Sequence, residues 1–224
     1  MKTVLAYTPW GKFHLPPEDL IGRTFIGHSA TWQPSGRPFW TLDTRASDQE
    51  KDLYVDCPNG NFWDGELLLP LFDEFARSGC TVVDVGAFVG QNAVYCAKRG
   101  ARVFAVEPNL DLWLLLRTNR DVNQIPIRNL FPLPTVAYDR AGCFEEAEHR
   151  EGNLGATTFV PAPTGISGSP LDPITIGGVS PVSLIKVDAQ GADRRVLLGL
   201  TRTILRDRPA IVYEYEADLA RLHG

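Results

Sequence analysis

Ten consecutive residues constrain this chain more than any others: Val82-Val83-Asp84-Val85-Gly86-Ala87-Phe88-Val89-Gly90-Gln91. A short apolar run enters a turn carrying two glycines and leaves it as a helix. Thr81–Val85 reads as a strand buried on both faces. Gln91–Arg99 reads as a helix stopped by Gly100. The same alternation continues along the chain. ARVFAVE is a strand, Leu110–Asn123 a helix, VSLIKVD a strand, Ala192–Arg206 a helix and AIVYEYE a strand. ELLLPLFDEFARSG precedes them as an amphipathic helix, with Leu68, Leu71, Phe72 and Phe75 on one face, Pro70 near its start and Gly79 as its stop. Strands alternating with helices predict an α/β fold: a Rossmann-like parallel sheet with helices on both faces.

The pattern weakens in two places. Between Ile125 and Val182 a strand is expected near Thr135–Tyr138 and an extra one over Asn153–Val160. Ala162–Ser180, rich in Gly, Pro and Ser, reads as a loop or insertion. Residues 1–65 differ in kind. VLAYTPW, RTFIG, FWTLD and DLYVD are short β-like runs broken by turn residues, which predicts a small N-terminal β-rich extension ahead of a domain over 66–224. Trp10, Trp32, Trp40 and Trp63 fall in the extension. They can line a substrate cleft or, more ordinarily, build the extension's own core.

In such a sheet, ligands bind beyond the carboxyl ends of the strands. A dinucleotide site needs G-x-G-x-x-G there. From Gly86 the required positions hold Gly86, Phe88 and Gln91; from Asp84 they hold Asp84, Gly86 and Val89. Neither register works, and Asp84 would repel a pyrophosphate on the helix N-terminus. No phosphate-binding G-x-x-x-x-G-K-[ST] occurs either. S-adenosylmethionine carries an ammonium and a sulfonium and no phosphate, so a carboxylate suits it. Gly86, Ala87, Phe88 and Gly90 supply the turn that would hold it. Glu107 closes the next strand before Pro108, where an acid accepts hydrogen bonds from ribose hydroxyls. Alone, Glu107 would read as an exposed strand-end acid; coupled to Asp84, Gly86 and Gly90 it reads as a cofactor anchor.

Composition narrows the partners. A net charge of −5 gives no support to nucleic-acid binding. No apolar run is long enough to span a membrane, and the N-terminal residues lack the apolar core of a secretion signal. Cys57, Cys80, Cys96 and Cys143 are scattered without metal-binding spacing. These features point to a cytoplasmic protein whose partner is neither nucleic acid nor a membrane.

At this point the chain resembles the FkbM family of S-adenosylmethionine-dependent methyltransferases. VVDVGAFVGQNAVYCAKRG is similar to the family's glycine motif and first helix, VFAVEPN to its ribose strand, LIKVDAQGADRRVLLGL to its I-K-[IV]-D-x-x-G-x-[ED]-x-x-V-L signature, and RPAIVYEYE to the strand that follows. FWDGELLLPL resembles the aromatic-acidic entry ahead of the glycine motif, which adds Glu66 to the cofactor-binding set. The likeness covers about residues 60–216. Gln190 stands where the family commonly has Glu, and Asp193 where it often has Glu. The resemblance implies a class I methyltransferase sheet; the C-terminal strand hairpin usual after AIVYEYE is either absent or lies beyond the end of this sequence. An open sheet edge would invite association, so either the N-terminal β segment covers it or a second copy does, as a homodimer.

Lys186 and Asp188 are two apart in their strand and face the same side. Charges in a buried strand are costly unless they pair or do chemistry. They form an ion pair with each other, or with neighbouring strands, or they form the reaction edge. In the functional reading Asp188 orients the acceptor or acts as base, Lys186 tunes it, and Glu214 on the next strand is a second candidate base. His149 in a loop could reach in; His14, His28 and His223 have no supporting context. A metal-assisted variant would set Mg²⁺ on Asp188, Glu214 and Asp172, but the resemblance implies no metal. The resemblance implies O-methylation of a sugar, polyketide or other natural product, and hence a small-molecule or glycan acceptor. The alternatives are N-methylation of an amine or peptide, or a scaffold that binds the cofactor without catalysis. Asp188-Ala189-Gln190-Gly191 is not the D/N-P-P-[YFW] motif of enzymes that methylate nucleic-acid amino groups.

Overall fold

The computed structural model describes residues 65–150, 153–178, 180–214 and 217–223, together with the backbone of four strands ahead of them. These four are β1 (Tyr7–Thr8), β2 (Gly11–Lys12), β3 (Phe25–Ala30) and β4 (Phe39–Thr44). β1 pairs with β2 and β3 with β4, both antiparallel, as the density of turn residues predicts. The side chains of the four early tryptophans and of Glu66 lie outside the described residues.

Helix α1 (Gly65–Phe75) starts early enough that Pro70 falls inside it, in the second turn. The proline forfeits one helical hydrogen bond. Burial of Leu68 and Phe72 on the core side offsets that loss. β5 (Thr81–Val85) follows, then α2 (Gln91–Lys98), β6 (Arg102–Val106), α3 (Leu110–Val122) and β7 (Leu130–Leu133). Asn109 caps α3, its side-chain oxygen accepting from the Asp111 and Leu112 amides at 3.0 and 3.2 Å.

The third strand of the main sheet is therefore Leu130–Leu133, ahead of the position expected near Thr135. The sequence hides it because Pro132 lacks a ladder donor. Among the described residues β7 is an edge strand, paired with β6 alone, where proline is tolerated. Beyond it the chain leaves the main sheet. β8 (Val136–Ala137), β9 (Gly142–Arg150), β10 (Asn153–Ala162) and β11 (Ile166–Ser169) form a second sheet in the order β10-β9-β11-β8. The segment expected to be a loop over 162–180 thus carries β11 and a short helix, α4 (Asp172–Ile176).

β12 (Val182–Val187) returns to the main sheet. The single helix expected after it is two, α5 (Asp193–Leu198) and α6 (Thr201–Asp207). The break sits at Gly199, where a Cβ would lie 2.1 Å from the Tyr138 carbonyl oxygen. That close approach of the second sheet's backbone turns the helix aside. β13 (Ala210–Tyr213) ends the sheet; α7 (Ala217–Ala220) and a 3-10 turn (Arg221–His223) follow.

The five parallel strands run β13-β12-β5-β6-β7. Connections leave β5 in one direction and β12 in the other, so the switch point lies between these two neighbours. Alternation along the strands splits the core. Val82, Val103, Ala105 and Leu184 pack on one face with α1 and α2. Val83, Val85, Val106, Ile185 and Val187 pack on the other with Leu171, Val196 and Leu200. A third cluster joins the second sheet to the main one: Val136, Tyr138, Phe144 and Phe159 bury Ala192 and rest on Ala189. The second sheet therefore bears on the loop leaving β12. Among the described residues no helix is long and apolar enough to cross a membrane.

Candidate active site at the switch point

The first residue past each of four adjacent strands is Glu214, Asp188, Gly86 and Glu107, in the order β13, β12, β5, β6. Ladder bonds continue through them. The Glu214 amide donates to the Val187 carbonyl at 3.1 Å, Asp188 to Val85 at 3.0 Å, Gly86 and Ala87 to Val106 at 3.0 Å each, and Glu107 to Leu133 at 3.0 Å. Residues separated by more than a hundred positions in sequence thus form one row across the carboxyl ends.

The turn after β5 needs glycine for reasons of packing. Gly86 has φ +70, and a Cβ there would stand 1.8 Å from the Asp188 carbonyl oxygen. Gly90, which caps α2 at φ +88, would put a Cβ 2.2 Å from Leu116 Cδ1. The close approaches that these two glycines allow are to β12 and α3. Between them Phe88 is held at φ +53, an uncommon value for a residue with a side chain. Its amide donates to Glu107 Oε2 at 2.9 Å, and the Asn109 amide donates to Oε1 at 2.9 Å. Glu107 thus bridges the turn and the start of α3 across Pro108. Burial pushes its carboxyl up to about 7 against the pull of these two amides and Lys186. Each oxygen keeps a lone pair for a further donor.

Asp84 and Lys186 face each other directly across β5 and β12. By strand alternation both project to the α1–α2 face, and both are buried. Lys186 Nζ lies 3.4 Å from Asp84 Oδ1 and 3.7 Å from Asp188 Oδ2, and donates to the Gly86 carbonyl at 2.9 Å. Neither Asp84 oxygen receives a well-formed hydrogen bond. Burial holds the Asp84 carboxyl above its usual range despite the ammonium. For Lys186 burial acts downward, but Asp84 and Asp188 outweigh it and hold the ammonium above its ordinary value. The lysine expected to tune Asp188 is thus nearer Asp84, in an ion pair with a neighbouring strand that also ties down the glycine turn.

Asp188 is half-buried at the mouth. Its Oδ1 accepts from Gln190 Nε2 at 2.8 Å, and the same nitrogen lies 3.3 Å from Glu214 Oε2. The structure thereby brings together Lys186, Asp188 and Glu214. Asp172 does not join them. Its Oδ1 accepts from the Thr203 amide and hydroxyl, its Oδ2 from the Arg202 amide, so it is spent on the first turn of α6. Among the described residues no group of three His, Cys, Asp or Glu side chains is arranged to hold a metal. His223 is buried against Tyr138, with its carbonyl gripped by Arg195 at 2.9 and 2.6 Å. Burial, then Arg195, lowers its imidazole below the ordinary range. The side chains of His149, His14 and His28 lie outside the described residues. Sequence reasoning missed Thr158, whose hydroxyl donates to the Gln190 carbonyl at 3.1 Å; nothing in the sequence marks a threonine thirty-two positions upstream.

The chain matches the family model described as the methyltransferase FkbM domain over residues 84–221. A curated relative, the hexuronic acid methyltransferase AglP of Haloferax volcanii, is 28% identical over 142 residues, covering 61% of this chain and 56% of that protein. The chain therefore spans little more than half the length of that relative. Similar solved structures include a precorrin-6y C5,15-methyltransferase from Geobacter metallireducens GS-15, at 14% identity and TM-score 0.41 over 70% of this chain and 65% of that one. Another is an S-adenosylmethionine-dependent methyltransferase from Aquifex aeolicus, at 14% identity and TM-score 0.40 over 76% and 77%.

Proposed function

Because the chain belongs to the FkbM methyltransferase family, we propose that it transfers a methyl group from S-adenosylmethionine to a hydroxyl of a sugar or other natural product. The observation that carries this reading is the row Glu107, Gly86, Asp188 and Glu214 across the switch point. Glu107 has lone pairs left for the two ribose hydroxyls. Ala87 and Phe88 form the turn beside it between Gly86 and Gly90, and Pro108 follows Glu107 on the way to α3. Lys186 compensates the Asp84 charge, so the acid left to meet a phosphate-free, cationic ligand at this turn is Glu107.

The bound cofactor supplies an electrophilic methyl group on a sulfonium. The residues of this chain place and prepare its attacker. Asp188, the first residue past β12, orients the acceptor hydroxyl and accepts its proton as the oxygen attacks. Placement alone contributes up to about 7–11 kcal/mol in well-aligned cases, so a rigid row of strand ends is well suited to the task. Glu214 shares the acceptor side, and Lys186 holds the turn through the Gly86 carbonyl. The hexuronic acid named for the Haloferax volcanii relative supports a sugar as the acceptor class.

Calorimetry with S-adenosylmethionine and S-adenosylhomocysteine tests the cofactor, and transfer of a labelled methyl group to a panel of sugars, uronic acids and hydroxylated natural products tests the reaction. Micromolar binding and label in a hydroxyl acceptor are expected. Binding with transfer to no member of the panel favours a cofactor-binding scaffold. Label on amines alone makes the chain an N-methyltransferase. Unchanged cofactor affinity in Glu107→Ala removes the basis of the site.

A further inference from the structure

Gln190 occupies a conformation that disfavours it. Its φ is +47, followed by Gly191 at φ +95. A non-glycine residue in this region costs about 1–3 kcal/mol and persists where its surroundings over-determine it. Here they do so from three sides. Thr158 of the inserted sheet donates to the Gln190 carbonyl. Asp193 accepts from the amides of Ala189 and Gly191 at 3.3 and 3.2 Å. Gly191 lies so close to α7 that a Cβ would stand 2.5 Å from the Leu219 carbonyl carbon. Glycine at 190 would relieve the strain, so the side chain must contribute something that the backbone does not need.

That side chain ends between two carboxylates. Its Nε2 is 2.8 Å from Asp188 Oδ1 and 3.3 Å from Glu214 Oε2. Both neighbours are acceptors, and an amide nitrogen has two protons, one for each. An amide oxygen or a third carboxylate in that place would face them with no proton to share. We propose that Gln190 is a positioning residue: its amide ties Asp188 to Glu214, fixing the rotamer of Asp188 so that Oδ2, 3.7 Å from Lys186 Nζ, is presented to the acceptor hydroxyl, while the inserted sheet and α7 clamp the loop that carries it. This inference rests on the proposed methyl transfer for its kinetic consequence, and on geometry alone for the tie itself.

Two measurements separate these. In the full chain, Gln190→Gly is expected to lower kcat by up to about 100-fold, the scale set by a misplaced reacting group, while acceptor KM and S-adenosylmethionine Kd stay within twofold and Tm does not fall. A purely structural residue would give the reverse, a lower Tm with kcat intact. Gln190→Asn, too short to reach both carboxylates, is expected to lose kcat like the glycine variant. Independently of turnover, ¹⁵N NMR of the Gln190 side-chain amide is expected to show slowed proton exchange that is lost in Asp188→Ala. Unchanged kcat in both Gln190 variants, a kcat loss matched by loss of Tm, or a freely exchanging amide in the wild type each overturns the proposal. A wild type with a protected amide that binds no S-adenosylmethionine overturns the proposed function and leaves the tie standing.

Discussion

Replacing Lys186 by Met tests the centre of this site. Methionine keeps the length and apolar stem of the lysine and deletes the ammonium. Asp84, 2% exposed, then has no cation across the strand, and the Gly86 carbonyl loses its 2.9 Å donor. Breaking a buried pair by removing one partner costs about 3–5 kcal/mol, because the charge left behind is uncompensated. In a chain of this size each kcal/mol lowers Tm by about 2–4 °C, so K186M is expected to melt about 6–20 °C below the wild type. The variant Asp84→Asn combined with Lys186→Met removes both charges. It is expected to recover most of the loss, short of the part owed to the Gly86 carbonyl. Urea unfolding of the four proteins at pH 7, followed by circular dichroism, gives the double-mutant cycle. If K186M costs no more than an ordinary surface change, about 0.5 kcal/mol, or if the two single losses simply add, the two residues are not a buried pair and the account of the turn is wrong.

Glu107 gives a pH dependence with two opposite signs. Its carboxyl stands near 7 in the folded chain against 4.5 as the ordinary value, chiefly through burial. A raised value means that stability is fully present below pH 4.5 and is lost as pH rises through 7, by about 3 kcal/mol. Melting curves of Glu107→Gln should lack that decline relative to the wild type, and parallel profiles would refute it. Cofactor affinity should move the other way, tightening as the carboxyl ionises through pH 7, with a flat calorimetric profile in the variant. Gly86→Ala meets the backbone of Asp188, whereas Gly90→Ala meets the end of a leucine side chain. The first is expected to cost at least about 2 kcal/mol and most cofactor binding, the second less on both counts; equal losses by denaturation and calorimetry would contradict the contact. Asp172→Ala removes three hydrogen bonds at the start of α6 and is expected to cost about 2–3 kcal/mol without changing cofactor Kd. Methyl transfer should survive excess EDTA; loss of activity restored by Mg²⁺ would return Asp188 and Glu214 to a metal.

The sequence by itself determined the parallel sheet and the turn at its centre. Apolar runs such as Thr81–Val85 and Arg102–Val106 are buried on both faces, so hydrophobicity alone marks them, and glycines at 86 and 90 mark the turn between strand and helix. The failed dinucleotide registers and the acids at 84 and 107 were visible as residue types, but that Asp84 stands inside β5 opposite Lys186 was not. Three elements were not legible. β7 carries Pro132 and reads as a breaker, yet only its edge position makes the proline harmless. β9 carries a run of charged residues, and Phe144 is the one buried side chain among those described in it, so its pairing with β10 rests on contacts that no local periodicity encodes. Gly199 breaks a helix because the Tyr138 carbonyl comes against it from another sheet.

The site divides along the same line. Residue types and spacing nominated Asp84, Glu107, Lys186, Asp188 and Glu214. Only the tertiary structure decided which charge faces which. Lys186 and Asp188 share a strand face, but register sets Lys186 opposite Asp84. Asp172 looked like a third acid for a metal until the fold turned it to the start of α6. Gln190 looked like a simple departure from a family pattern until β13 brought Glu214 beside it. The physical reason is the same each time. Burial and periodicity are properties of a segment and survive in one dimension, whereas the partner of a charge is fixed by which strands lie side by side.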